Sequence, residues 1–545
     1  MHLDEAVHAV KLDTLYRTGN YVYDRSEYHG PTLYYLTAPL MWLSGARSFA
    51  DVDERTLRLA PALLGAGLVL LLWPLANELG RWAALWAGIL VAISPAMVFY
   101  SRYYIQETIL VFLSFCLIVS AWLYVRSGRA MWCLLAGVCL GLMHATKETW
   151  VLSVAAMLLA VPLTVLWTRA IDGRRIAWKH HIRPRLKLLS LTLGILVSVV
   201  LLSGFFTNAR GPLDSVLTYS AYFDRSRADA DHNHAWNYYF DLLLWNRFGP
   251  GLAPLRHMST LPGFSPLDAG KFLWKASQPP LLWTELFIFV LAIVGIIAAL
   301  WRKNAKNGDV ENSVGNGVEN HSLLRFLAFY TLVLAVIYCA IPYKTPWCLL
   351  GFWHGAVVMA GFGVVATVRV VPGRVLKTIV CAVLVLAGVH LSQQSRAANF
   401  LYADDRRNPY VYAHTLRDMV RLGERVEALS QLDPKGREML VTVIAPDPWP
   451  LPWSLRRFKN VGYWNDVKSV PPQARQAPIV IVALELQPQW KKTQGAANYN
   501  EEVYGQRPET FLVVNARGDL WREFLRRRSQ ITTKPDAGVA ANQTR

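Results

Sequence analysis

Acids, bases and aromatic residues gather at five places in this sequence. They are Asp4-Glu5 followed by His8; Glu27-Tyr28-His29-Gly30-Pro31; Tyr100-Ser101-Arg102-Tyr103-Tyr104 with Gln106 and Glu107; His144, Lys147 and Glu148; and Tyr343-Lys344-Thr345-Pro346-Trp347. A carboxylate can take the proton of an attacking hydroxyl. Arg and Lys can bind a phosphate and stabilise the charge that grows on it as it leaves. Aromatic rings can stack on a sugar or hold a lipid at the membrane interface. Together these residue types suit transfer of a sugar from a lipid-linked phosphate to a hydroxyl, driven by the phosphate bond. The sequence has no Walker or dinucleotide-binding motif, and such a reaction needs none. Each group alone has a plainer reading: a lone Arg or Lys at a helix end snorkels, and a lone carboxylate there caps a helix. Their joint placement on one side of a membrane is what gives them weight.

The elements that place them are apolar. Of the 545 residues 53% are hydrophobic and 17% are charged, with a formal net charge of +18. The average says little, because soluble proteins reach about 45–50%. The distribution says more: the apolar residues form blocks long enough to cross a hydrocarbon core of about 30 Å as helices. Disorder, a disulfide scaffold and an ordinary soluble enzyme are thereby excluded. About ten spans are predicted, at 58–79, 82–100, 107–125, 131–146, 149–168, 187–206, 281–301, 323–342, 347–367 and 374–390. They lack a helical-period polar face, as expected of helices buried on all sides.

Basic residues orient the bundle. Arg169, Arg174, Arg175, Lys179, Arg183, Arg185 and Lys187 crowd one short loop and assign it to the cytoplasm. Counting outward assigns the loops of Arg81, of Arg126 and Arg129, of Arg302, Lys303 and Lys306, and of Arg369, Arg374 and Lys377 to the same side. The positive charge therefore reads as topology and not as a nucleic-acid surface. Residues 1–57, the loop 207–280 and the tail 391–545 fall outside the cytoplasm, around bundle segments 58–206 and 281–390. The location predicted is the plasma (inner) membrane, multi-pass, with the active face and the C-terminal domain extracytoplasmic. Within the tail, 411–429 has helical spacing, 453–460 is helix-like, and Leu440–Ala445, Ile479–Leu484 and Phe511–Asn515 read as strands. This predicts a soluble α/β domain with a parallel sheet and a disordered end.

The chain resembles the membrane glycosyltransferases of the GT-C superfamily. It is most similar to the protein mannosyltransferase (glycosyltransferase family 39) branch and to a flippase-activity-associated family described beside archaeal N-glycosylation genes. The resemblance covers about residues 1–390. It is carried by His2-Leu3-Asp4-Glu5-Ala6, by Tyr28-His29-Gly30-Pro31-Thr32-Leu33-Tyr34-Tyr35, by Arg55–Leu64, and by Ile93-Ser94-Pro95 followed by Tyr100-Ser101-Arg102. It implies a polyprenyl-phosphate sugar donor, inversion at the anomeric centre, and a glycan, lipid or protein acceptor. It implies an acidic pair, matched to Asp4 and Glu5, in which one carboxylate is the base or, in some relatives, holds a divalent metal. Arg102 and Glu107 match the second outer loop. Lys147 and, by position, Lys344 join Arg102 as groups for the donor phosphate, with His29, Tyr103, Glu107, Glu148 and Trp347 in support. In relatives a spanning helix precedes the acidic pair, whereas three residues precede it here. The resemblance therefore predicts a start upstream of Met1 and a bundle one span short.

Two other classes of function compete. A lipid-sugar flippase would put charges near the membrane midplane on broken helices, whereas here the charges gather at helix ends. A non-catalytic glycan-assembly protein would tolerate loss of Asp4, and an enzyme would not. Asp229, Asp231, His232 and His234 resemble a metal cluster, but a solvated loop explains them without one. Glu285 reads as facing a cavity or capping a helix. The six cysteines lie in or beside apolar blocks without metal-binding spacing.

Overall fold

The computed structural model describes residues 1–25, 29–173, 183–228, 232–244, 284–302, 321–405, 407–493 and 498–532. The chain forms two compact units. One contains Thr14–Gly45 and Glu54–Tyr412, and the other Met1–Asp13, Ala46–Asp53 and Ala413–Arg545.

In the larger unit the apolar blocks become helices because nothing in them competes with the backbone's own hydrogen bonds, which a bilayer cannot replace. In chain order the helices are α1 (Leu3–Thr18, whose first residues belong to the smaller unit), α2 (Thr32–Leu43), α3 (Glu54–Leu79), α4 (Arg81–Ile93) and α5 (Pro95–Ser101). There follow α6 (Glu107–Ser127), α7 (Ala130–His144), α8 (Trp150–Asp172), α9 (Pro184–Leu202), α10 (Gly211–Ala228) and α11 (Tyr238–Leu244). The last four are α12 (Leu286–Trp301), α13 (His321–Ala340), α14 (Pro346–Val370) and α15 (Arg374–Leu401). Seven of the described helices are long and apolar enough to cross a membrane: α3, α6, α8, α9, α13, α14 and α15. The pair α4–α5 makes an eighth if a span bent by 61° is counted as one.

The expected polytopic bundle is therefore present, with differences in detail. The expected spans at 131–146 and 281–301 are shorter apolar helices, α7 and α12; residues 281–283 lie outside the described residues. The expected helix 82–100 breaks at Ser94–Pro95, where proline lacks the N–H that would continue the ladder. The segment 1–57, expected as a loop, contains α1 and α2. Helix α15 continues past residue 390, the end expected from its apolar run.

Small residues let the helices close on one another. A Cβ on Gly137 would lie 2.0 Å from the Ser190 carbonyl oxygen, and one on Gly141 2.2 Å from that of Gly194, so α7 and α9 pack backbone to backbone. Helix α14 is the best-buried span, with 83% of its most apolar window inside the protein.

The smaller unit contains the expected α/β domain. Its strands are β1 (Leu440–Ile444), β2 (Asn460–Trp464), β3 (Ile479–Ala483), β4 (Tyr499–Arg507) and β5 (Thr510–Arg517), in the order β2-β1-β3-β5-β4. The expected parallel sheet is parallel only across β2-β1-β3, and β4 and β5 add an antiparallel hairpin. Helix α16 (Asp418–Ser430) packs Met419, Leu422 and Val426 on one face, and Val467, Val470 and Trp490 cover the other. The helix expected from residue 411 begins at 418, and the helix-like stretch 453–460 gives way to a four-residue helix, Leu451–Ser454, before β2.

Candidate active site

In the larger unit two of the five groups meet through backbone. The turn between α7 and α8 (residues 145–149) receives the segment 29–32: the Gly30 N–H donates to the Thr146 carbonyl (3.0 Å) and the Thr32 N–H to that of Ala145 (3.3 Å). The Thr32 hydroxyl donates to that of Thr146 at 2.8 Å. Only glycine fits at position 30, because a Cβ there would lie 2.0 Å from the Ala145 oxygen. Its neighbour His29 takes φ = +104°, a costly backbone conformation for a residue with a Cβ and one that gathers at functional sites.

This docking surrounds Glu148. Its Oε1 accepts from the His29 N–H (2.7 Å) and the Tyr23 hydroxyl (2.7 Å), and its Oε2 lies 3.0 Å from His29 Nδ1. The Tyr219 hydroxyl donates to the Glu148 carbonyl (2.9 Å). Burial alone would push the carboxyl up; the charge and hydrogen bonding of His29, then the Tyr23 hydroxyl, outweigh it and hold the pKa at about 2.

The adjacent Lys147 points elsewhere, onto the carboxylate of Glu107 at the start of α6. Both side chains are buried, with residue exposures of 5% and 6%. Burial works against the ammonium, but Glu107 prevails and raises the Lys147 pKa above its ordinary value. The tilted Tyr103 and Trp347 rings lie 6.2 Å apart, and Trp347 also meets Tyr100 at 6.4 Å.

Other expected partners stand differently. Arg102 donates through one guanidinium nitrogen to the carbonyl (2.7 Å) and side-chain oxygen (3.2 Å) of Asn399, and lies over the Phe400 ring at 4.4 Å. Lys344 is buried; its ammonium donates to the carbonyls of His234 (3.0 Å) and Ile341, and burial pushes its pKa down. Of the loop cluster, Asp229 and Asp231 lie outside the described residues, as do Glu27 and Tyr28 of the first loop. The rings of His232 and His234 stack on Tyr343 and Tyr238, at 4.9 and 4.1 Å.

Asp4 and Glu5 belong to the smaller unit. Glu5 has no exposed surface, and its Oε2 accepts from the His2 N–H at 2.8 Å. The Asp4 N–H donates to His2 Nδ1 (3.1 Å), with Asp4 Oδ2 3.8 Å from the same nitrogen. The His2 ring packs against that of His414 at 4.8 Å. Among the described residues no group of three or more His, Cys, Asp and Glu could hold a metal ion. Asp4 and Glu5 supply two carboxylates at most, and that of Glu5 already accepts from the His2 amide.

Sequence reasoning missed Tyr23, Asn399 and His414, none of which belongs to a marked group. Glu285, seen as a cap or a cavity group, proves to be a hub. Fully buried, it accepts from the Ser94 hydroxyl (2.7 Å), the Ala96 N–H (2.7 Å), the Tyr410 hydroxyl (2.9 Å) and Trp353 Nε1 (3.2 Å). It thus caps α5 from the start of α12 and fixes the break in the bent pair.

Comparison with known proteins agrees with this architecture. Residues 15–207 match the family model of the dolichyl-phosphate-mannose-protein mannosyltransferases. The structure is similar to the crystal structure of ArnT from Cupriavidus metallidurans in the apo state: TM-score 0.53, 13% identity, covering 95% of this chain and 94% of ArnT. It is also similar to the crystal structure of that protein bound to undecaprenyl phosphate, with TM-score 0.56, 14% identity and the same coverage. No curated protein sequence matches the chain significantly. The chain is thus a multi-pass membrane protein with an ArnT-like fold and a segment similar to the protein mannosyltransferases.

Proposed function

We propose that this chain, ArnT-like in fold and protein-mannosyltransferase-like over residues 15–207, is a glycosyltransferase that moves a sugar from a polyprenyl-phosphate donor to an acceptor hydroxyl. The observation that carries this is the pair Lys147–Glu107: a buried ammonium, kept charged, on the residue directly before Glu148 with its His29 contact. A cation held in a dry setting is what a departing phosphate requires. ArnT, whose fold the chain shares, has been seen with undecaprenyl phosphate bound.

In this mechanism Lys147, with Arg102 and Lys344, receives the phosphate, and the aromatic residues bind the sugar. Asp4 is assigned as the base and Glu5 as its orienting neighbour, on the resemblance of His2-Leu3-Asp4-Glu5-Ala6. The acceptor hydroxyl loses its proton to Asp4, the oxygen attacks the anomeric carbon, and the polyprenyl phosphate leaves with inversion. The basic loops favour an extracytoplasmic active face and C-terminal domain in the plasma (inner) membrane. A hexose, with mannose as the case in the matching family, is the sugar class proposed, and a glycan, lipid or protein the acceptor.

A second reading, translocation of a lipid-linked sugar, draws on the break in the pair α4–α5 at Ser94–Pro95, where the buried Glu285 reaches across from the start of α12 to the Ala96 N–H; transporters also build on broken helices. One experiment separates the two. The protein in lipid nanodiscs, with polyprenyl-phosphate hexoses and candidate acceptors, should release polyprenyl phosphate and glycosylate the acceptor, and Asp4→Asn should abolish both. Movement of donor across vesicles without turnover would favour translocation. Near-normal turnover in Asp4→Asn would remove Asp4 as the base.

A further inference from the structure

Gln106 lies in the turn that joins α5 to α6, directly before Glu107. It has no exposed surface, and neither Nε2 nor Oε1 of its carboxamide has a hydrogen-bond partner among the described residues. It occupies the N-cap position of α6, yet its side chain makes no capping bond. A buried amide without partners bears its full desolvation cost, whereas leucine or methionine at the same place would bear none. Neither helix geometry nor the Lys147–Glu107 pair uses it.

We propose that Gln106 is a specificity-determining residue that reads hydroxyl groups of the donor sugar; this rests on the donor assignment made above. Three features point to this class of ligand. A carboxamide carries both donor and acceptor atoms, matching a pyranose hydroxyl pair, in which each group can give and take a hydrogen bond. It carries no charge, so it suits the sugar better than the phosphate, for which Lys147 and Arg102 stand near in sequence or structure. It is polar, so it does not suit the isoprenoid chain.

The test uses the full chain in nanodiscs and compares kcat/KM for a polyprenyl-phosphate hexose with that for its monodeoxy analogues. Wild type should disfavour at least one analogue by on the order of 100-fold or more. In Gln106→Leu and Gln106→Met the parent sugar should fall by a similar factor while that analogue is unchanged, so their ratio approaches one; ratios at the other hydroxyls should stand. A parallel fall for all donors, or an unaltered ratio at every position in a variant with wild-type thermal unfolding, overturns the assignment. A wild type that turns over no polyprenyl-phosphate sugar overturns the donor reading, and this assignment with it.

Discussion

His29 holds Glu148 by both backbone and ring: its N–H donates to one carboxylate oxygen at 2.7 Å, and its Nδ1 lies 3.0 Å from the other. The contact joins residues 119 apart in sequence and pins the segment after α1 to the α7–α8 turn.

That contact gives stability a pH dependence of known sign. The Glu148 pKa is held at about 2, against an ordinary 4.5. A depressed carboxyl stabilises the fold fully above its unfolded pKa and loses that contribution as pH falls through the folded value. At about 1.4 kcal/mol per pKa unit, the contribution amounts to a few kcal/mol. Wild type should therefore exceed Glu148→Gln in stability near neutrality, and the gap should close as pH falls from about 4.5 towards 2. Thermal unfolding in detergent across that range checks this, and a gap independent of pH would contradict it.

The pair Lys147–Glu107 predicts an asymmetry between single and double variants. Removing one partner of a buried pair leaves the other charge unpaired, at a cost of about 3–5 kcal/mol, whereas replacing both with apolar side chains can be nearly neutral. Lys147→Met should be strongly destabilising, and Lys147→Met with Glu107→Leu should recover most of the stability. Donor turnover should stay lost in both, because the ammonium for the phosphate is absent. A double variant as unstable as the sum of the singles, or one that regains turnover, would refute the pair's assigned role.

Gly30→Ala tests the docking of 29–32. The new Cβ would lie 2.0 Å from the Ala145 carbonyl oxygen, which is backbone and cannot turn aside. Relief requires parting the bonds to Ala145 and Thr146, and overpacking of this kind costs about 1–3 kcal/mol. Because the same displacement draws His29 from Glu148, the variant should also lose the acid-dependent stability described above. Retention of that pH dependence in Gly30→Ala would separate the two effects and disprove the coupling.

These relationships show what was legible in the sequence. The bundle was legible because a long apolar run without charges has few fates. Helix α1 was not: Leu3–Thr18 mixes charged and apolar residues too evenly to read as a span. Strands β2 and β4 escaped because they lie at the two edges of the sheet, where burial is partial and no apolar run forms. Lys147, Glu107, His29 and Glu148 were all marked, yet which would pair was not, since Lys147 takes Glu107 across 40 residues and leaves its neighbour Glu148 to His29. Arg102 and Asn399 are 297 residues apart, and nothing local to either announces the other.

Glu285 offers the strictest test of the local hydrogen-bond geometry. Its Oε1 serves the Ala96 N–H and the Tyr410 hydroxyl; its Oε2 serves the Ser94 hydroxyl and the Trp353 N–H. In Glu285→Gln one oxygen becomes an NH2 group. A hydroxyl can turn to accept from it, but an N–H cannot, so either the Ala96 N–H faces another donor or the Trp353 N–H keeps only its longer contact to the Ser94 hydroxyl (3.3 Å). The expected cost is about 1–3 kcal/mol. Trp353→Phe removes one of those donors and lets the amide turn its NH2 towards Ser94. That second substitution should therefore be markedly less damaging in Glu285→Gln than in wild type. A double-mutant cycle of unfolding free energies measures this coupling, and strict additivity would show that the carboxylate is not held by both N–H groups at once.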